Sequence, residues 1–271
     1  MHIEQLIITA KPISQTEYWK RLIRYRSLIW IFAWQELKVA YAQTYFGLLW
    51  AVLRPVIILS VFTVLFGYLL HIETSSPYLL FAFSGMIAWN FFSQIVTTAS
   101  VAITDRQDLI RRMYFPRLIL PLSKVLMAGV ETVISMLLLF IFMVVLRYHV
   151  SWHLLLLPFF IGMNVCLGLA VSLWLTLASV RYRDLHQVVM PLISIGIWVT
   201  PVFFPRTIIP DAYQFLLYFN PMAAVIAGYR YALLGEPVDG WYWLSYGVVA
   251  VLLAIAILLL ARAEDDIVDY A

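Results

Sequence analysis

At 271 residues, 63% of them hydrophobic and only 12% charged, with a mean hydropathy of +0.90, the chain is too apolar for a water-soluble fold and reads as a polytopic membrane protein. The net charge of +3 is too small to point to nucleic acid. The single cysteine, Cys166, lies inside an apolar run, which excludes an intrachain disulfide and a cysteine-built metal centre.

The opening residues, to about position 16, carry no periodic signal, and no removable signal peptide is read there. From Glu17 to Tyr41 the pattern turns helical. Trp30, Trp34, Leu37 and Tyr41 form one apolar stripe, and Lys20, Arg21, Arg24, Gln35 and Lys38 fall elsewhere. A basic, Trp-rich helix of this kind is expected to lie in the membrane interface over 17–41.

Long apolar runs follow, at about 46–70, 78–103 and 118–146. Arg54-Pro55 sits near the start of the first, where an arginine facing lipid is costly and is expected to snorkel or face protein. Lys124 and Glu131, seven residues apart in the third, are expected on one face, as an ion pair or as part of a polar lumen.

Between the second and third runs lies a polar island, Thr104 to Pro116, carrying Asp105, Arg106, Asp108, Arg111 and Arg112. Thr104 and Gln107 have the spacing of a capping box, the acids precede the arginines as a helix dipole favours, and Pro116 stops the element. The island is either an orienting charged loop or a short docking helix, and the capping and charge order favour the helix.

A fourth run extends from about 153 to 180 with Gly168, Ser172, Thr176 and Ser179 on one side, a stripe that allows close helix approach. The polar turn Arg181, Tyr182, Arg183, Asp184 precedes a fifth run, 187–203, interrupted by Pro191 and Pro201. The segment 204–237 divides at Asn220-Pro221 into pieces over 211–219 and 221–234, each too short to span, and reads as a re-entrant or interfacial helix pair. A last span, about 241–261, ends in an acidic tail.

Basic residues set the topology. An N-terminus inside puts Lys11, Lys20, Arg21, Arg24, Arg26, Lys38, Arg106, Arg111, Arg112, Arg117, Arg181, Arg183 and Arg262 on the cytoplasmic side, against Arg147, Arg206 and Arg230 outside. The expectation is an all-α protein with six transmembrane helices and both termini cytoplasmic, forming one transmembrane domain over 1–271.

The chemistry of an enzyme is missing from the spans. The histidines, His2, His71, His149, His153 and His186, all sit at span ends or in loops, and no G-x-x-x-x-G-K-[ST] phosphate loop is present. His149 and His153 have the spacing of a metal pair but no evident third ligand, and no metal site is assigned. The sequence leaves a transporter body whose energy comes from a partner, with a symmetric homodimer as the economical way to enclose a wide path.

The stretches GLLWAVLRP (47–55), DLIRRMYFPRLILP (108–121), RYRD (181–184) and NP…GYRYALLG (220–235) resemble, in order and over nearly the whole chain, permease subunits of type-2 ABC exporters for O-antigen and other cell-surface polysaccharides. The resemblance implies a homodimeric, multi-pass permease of the bacterial inner membrane. Two separate ATP-binding subunits would carry the ATP and magnesium, and the cargo would be an undecaprenyl-diphosphate-linked glycan. It also implies a coupling helix at 104–116, with Asp108, Leu109, Ile110, Arg111 and Arg112 against the ATPase, a second contact at Arg181, Arg183 and Asp184, and outer gate helices at 204–237.

By charge alone, Arg24, Arg26 and Arg54 are candidates for the lipid diphosphate. Aromatics make up 16% of the chain and suit sugar faces that must slide. Trp89, Phe91, Phe92, Trp198, Phe203, Phe204, Tyr213 and Tyr218 are candidates for the glycan path, and interfacial anchoring in membrane lipid is the competing role of each. Exporters of teichoic acid, another lipid-linked polymer or a drug share the same outline, while a membrane-embedded enzyme or a scaffold fits it poorly.

Overall fold

The computed structural model of the chain describes residues 15–42, 49–113, 115–181 and 185–270. They form helices joined by turns, with no strand among the described residues.

The expected interface helix is broken at Tyr25 into α1 (Gln15–Arg24) and α2 (Arg26–Ala42). Its buried face lies away from the tryptophan stripe. Tyr18, Leu22, Phe32 and Ala33 are buried, whereas Trp30 and Trp34 are exposed and stacked on each other at 6.3 Å. The Tyr18 face packs against Phe115, Leu118 and Ile119, so the tryptophans point away from the bundle. Lys38 lies 5.7 Å over the Trp34 ring, an arrangement suited to the membrane interface. The Tyr41 side chain lies outside the described residues.

Among the described residues, five helices are long and apolar enough to cross a membrane. The first is α3 (Trp50–Phe62), continued in a π-helical stretch, Thr63–Leu69. The others are α4 (Tyr78–Ala99), α6 (Ile119–Val145), the run Trp152–Ser179 containing α7 (Leu157–Arg181), and Tyr242–Leu259 of α10 (Tyr242–Tyr270). The expected fifth crossing is α8 (Leu185–Val199), whose 15 residues reach only about 22 Å at 1.5 Å per residue. The charged α5 (Gln107–Arg112) lies between α4 and α6.

The bundle is organised around α4. Leu80 to Trp89 is continuously buried, as expected for a helix that is apolar on all sides, and α6, α7 and α9 (Pro221–Leu234) surround it. The small stripe of α7 makes one of these contacts. A Cβ at Gly168 would lie 2.8 Å from Ile95, and the buried Thr176 hydroxyl donates to the Ser100 carbonyl at 3.0 Å.

The short pair has the expected limits. Asp211–Phe219 is a 3-10 helix. The Asn220 side chain then accepts from the Met222 N–H, Pro221 occupies the first turn of α9, and Gly235 ends it at φ 74°. Helix α9 is embedded in protein, with Met222–Ile226 and Gly228–Arg230 all buried, which is the condition for non-spanning helix at membrane depth. A Cβ at Gly235 meets nothing closer than 4.0 Å, so Gly235→Ala tests backbone conformation alone. It is expected to cost about 1–2 kcal/mol, read as a lowered midpoint of thermal unfolding in detergent.

Candidate functional site

Two polar features stand out in this apolar bundle. One lies at the end that carries α5, here called the charged end. The other is a cavity leading from it.

At the charged end, Thr104 does not cap α5. It opens a 3-10 turn, its hydroxyl donates to the Val101 carbonyl at 2.9 Å, and Arg106 occupies the N-cap position without a side-chain cap bond. The reason is local: a hydroxyl satisfied by the preceding turn has no geometry left for the N–H groups ahead. Leu109 and Ile110 pack on the core formed by Phe115, Leu118 and Ile119, while Asp108 and Arg112 are exposed. The side chains of Gln107, Arg111 and Arg181, and residues 182–184 with Arg183 and Asp184, lie outside the described residues.

Arg106 reaches back to α2, 3.3 Å from Glu36 Oε1 and 5.5 Å over the Phe32 ring. Lys124 of α6 pairs with Glu36 Oε2 at 2.7 Å. The expected Lys124–Glu131 pairing is therefore replaced by Lys124–Glu36. Lys124 sits in the second turn of α6, alongside α2, whereas Glu131 lies farther along the helix and faces the cavity. Glu36 is the residue that sequence reasoning missed. Within α2 it looks like any solvated acid, and only the crossing of α2 over α6 turns it toward two cations.

The cavity has a volume of about 720 Å³ and is walled by α3, α4, α6 and α8. Arg54, Asn90, Gln94, Glu131, Ser135 and Ser194 contribute to its polar lining, which fits a water-filled space rather than lipid. Arg54 faces this space, so its place in an apolar run is explained. From Trp50 and Thr97 near the charged end, the lining extends to Ile58, Ile87 and Ser194 in mid-bundle.

One helical turn beyond Ile58 and Ser194 come Phe62 and Trp198, which form a ring cluster with Phe203. Phe62 and Phe203 stack at 3.7 Å and 4°, and Trp198 lies 5.8 Å from Phe62 and 6.1 Å from Phe203.

The candidate aromatics thus separate. Phe91 lines the cavity, and Trp198 and Phe203 cluster with Phe62 one helical turn beyond its lining. Trp89 and Phe92 pack into the core, Phe204 is half-buried and Tyr213 is exposed on the short pair. Arg24 and Arg26 are exposed where α1 meets α2 and do not line the cavity.

Tyr218 belongs to a clasp across the far end. Asp239 accepts from the Tyr218 hydroxyl at 2.6 Å and from Arg206 at 2.8 Å. The Tyr218 hydrogen bond first, then that of Arg206, holds the Asp239 carboxyl below its ordinary value. A depressed carboxylate contributes its stability in full above the ordinary value and loses it as the pH falls through the lower, folded value. The difference in thermal midpoint between the native chain and Asp239→Asn is therefore expected to stay constant from pH 7 to about 5 and to shrink below about pH 4.

The profile of the ABC-2 type transporter family matches residues 27–234. An O-antigen export system permease protein, RfbA, of Myxococcus xanthus is 30% identical over 213 residues, 78% of this chain and 82% of the relative. Its namesake in Klebsiella pneumoniae is 26% identical over 72% of this chain and 76% of the relative. The polysialic acid transport protein KpsM of Escherichia coli is 24% identical over 86% and 91%. With that match spanning α2 to α9, every helix of the cavity included, the chain belongs to the ABC-2 type transporter family.

Proposed function

We propose that this chain is the membrane subunit of an ATP-driven exporter that moves a lipid-linked polysaccharide of the O-antigen type across the bacterial inner membrane. The observation that carries the reading is the cavity, lined in part by polar and charged side chains between apolar helices, with a stack of aromatic rings one turn beyond its last residues on α3 and α8. The amides of Asn90 and Gln94 and the hydroxyls of Ser93, Ser135 and Ser194 offer hydrogen bonds to sugar hydroxyls. An apolar drug gains nothing from them, so glycan cargo is favoured over drug export. Relatives named for O-antigen export and for polysialic acid transport favour the same cargo class.

On this reading the charged end is cytoplasmic and both termini lie inside, which follows from the distribution of basic residues. Crossing the membrane an even number of times then requires α8, short as it is, to complete a sixth span with the turn that follows it. Two copies of the chain pair with two ATP-binding subunits, which carry ATP and magnesium and dock at α5 and at 181–184. Arg54 receives the lipid diphosphate as the cargo enters.

The test is deletion of the chain in its host combined with affinity capture of the tagged protein. The expected result is lipid-linked glycan accumulating on the inner face and an ATP-binding subunit in the captured complex. Normal surface glycan after deletion, or export by the purified chain without a nucleotide-hydrolysing partner, would overturn the reading.

A further inference from the structure

The turn that follows α8, Thr200 to Phe203, is pinned by side chains from α4 and from α9 with its N-cap. Asn220 donates to the Thr200 hydroxyl at 2.9 Å, Tyr78 donates to the Phe203 carbonyl at 2.8 Å, and Arg230 donates to the Val202 carbonyl at 2.7 Å. The first two are ordinary neutral bonds. The third uses a cation that is only 6% exposed.

Arg230 has an unusual set of neighbours. Its guanidinium lies 3.5 Å from the Phe81 ring centroid, and its Nε has no hydrogen-bond partner. No carboxylate pairs with it among the described residues. Glu236, the acid that acts on it, is taken up by the hydroxyls of Ser75 and Ser76 at 2.6 and 3.2 Å. Gly85 makes room for the arrangement, since a Cβ there would stand 2.8 Å from the Val202 oxygen and 3.0 Å from Arg230 Nη2.

A buried cation held by one neutral carbonyl and a ring face is a poor way to strengthen a fold, because an apolar side chain of similar size would fill the site without desolvating a charge. It is a good way to build a bond that must be released. When the turn moves, water or sugar hydroxyls can reach the guanidinium and replace the single carbonyl it gives up. A carboxylate partner would oppose that exchange far more strongly.

We infer that the ring stack beyond the cavity is its far gate and Arg230 the latch, holding Val202, and through it the Phe203 ring on Phe62, in the closed position until cargo and water reach the guanidinium. Arg230 is a positioning residue, acting through the backbone of the turn. The inference rests on the cavity being the export path.

The test uses the complete exporter in right-side-out membrane vesicles, with Cys166→Ala removing the native thiol and Ser194→Cys reporting from the cavity. A membrane-impermeant maleimide is added outside. At rest the reporter is expected to be shielded, and during ATP turnover labelled. Arg230→Met is expected to speed resting labelling at least tenfold. Gly85→Ala, whose Cβ crowds the same bond from α4, is expected to do the same and decides the matter if Arg230→Met does not assemble. Labelling on turnover but full shielding at rest in both variants overturns the latch and leaves the path standing. A reporter shielded even during turnover overturns the path, and the latch with it.

Discussion

Reversing Arg111 and Arg112 to glutamate is expected to abolish surface glycan while the chain still inserts and folds. Helix α5 has only six residues, too few to be stable alone, and it stays helical because Leu109 and Ile110 anchor it on the core of the charged end. Leu109 and Ile110 are half-buried on that core, while Asp108 and Arg112 face outward. Two reversals change the local charge by four units without touching the anchor, and like charges facing a complementary surface cost several kcal/mol of affinity, on the order of a hundredfold or more. Export and capture of the ATP-binding subunit are expected to fall together. Unchanged export, or lost export with undiminished capture, would remove docking as the role of this helix.

Much of the architecture is legible because the bilayer imposes it. Apolar runs mark the long helices, and Asn220, Pro221 and Gly235 fix the limits of α9 by cap, missing N–H and left-handed backbone, all local chemistry. What was misread depends on the neighbours of a helix. In water an apolar stripe marks the core, but at a membrane lipid accepts the same side chains, so the exposed stripe of Trp30 and Trp34 does not reveal which face packs on protein. The inward face of α1 and α2 instead carries Tyr18 and Phe32, on a different angular position. The same limit explains Lys124. Its spacing from Glu131 is right for a shared face, but its actual partner comes from a helix more than eighty residues earlier in the chain, and nothing in either helix records that crossing. The ring cluster beyond the cavity was half legible: Trp198 and Phe203 were candidates, but Phe62, which stacks on Phe203, sits mid-run among other apolar residues and carries no signal of its own.

Glu36→Ala is the second substitution with a large expected effect, and the sign of its rescue makes it informative. Glu36 stands between Arg106 and Lys124, and the three side chains are 13%, 26% and 16% exposed. Removing the one anion leaves two cations facing each other at the membrane boundary. For fully buried pairs such a loss costs roughly 3–5 kcal/mol; the residual exposure here lowers the expectation to about 2 kcal/mol. The cost arises from the cations left behind, not from the bond alone. Lys124→Met in the Glu36→Ala background therefore removes one of the stranded charges and is expected to recover about half of the lost stability, although each single substitution destabilises. Thermal unfolding of the four combinations in detergent measures the coupling, and strictly additive losses would show that the three charges act independently. Export separates a further consequence. Arg106 is the N-cap of α5, Lys124 belongs to α6, and Glu36 joins them, so the double variant recovers stability without recovering the link. It is expected to be about half as destabilised as Glu36→Ala and still export poorly, because a push on α5 then reaches the bundle without the Glu36 bridge.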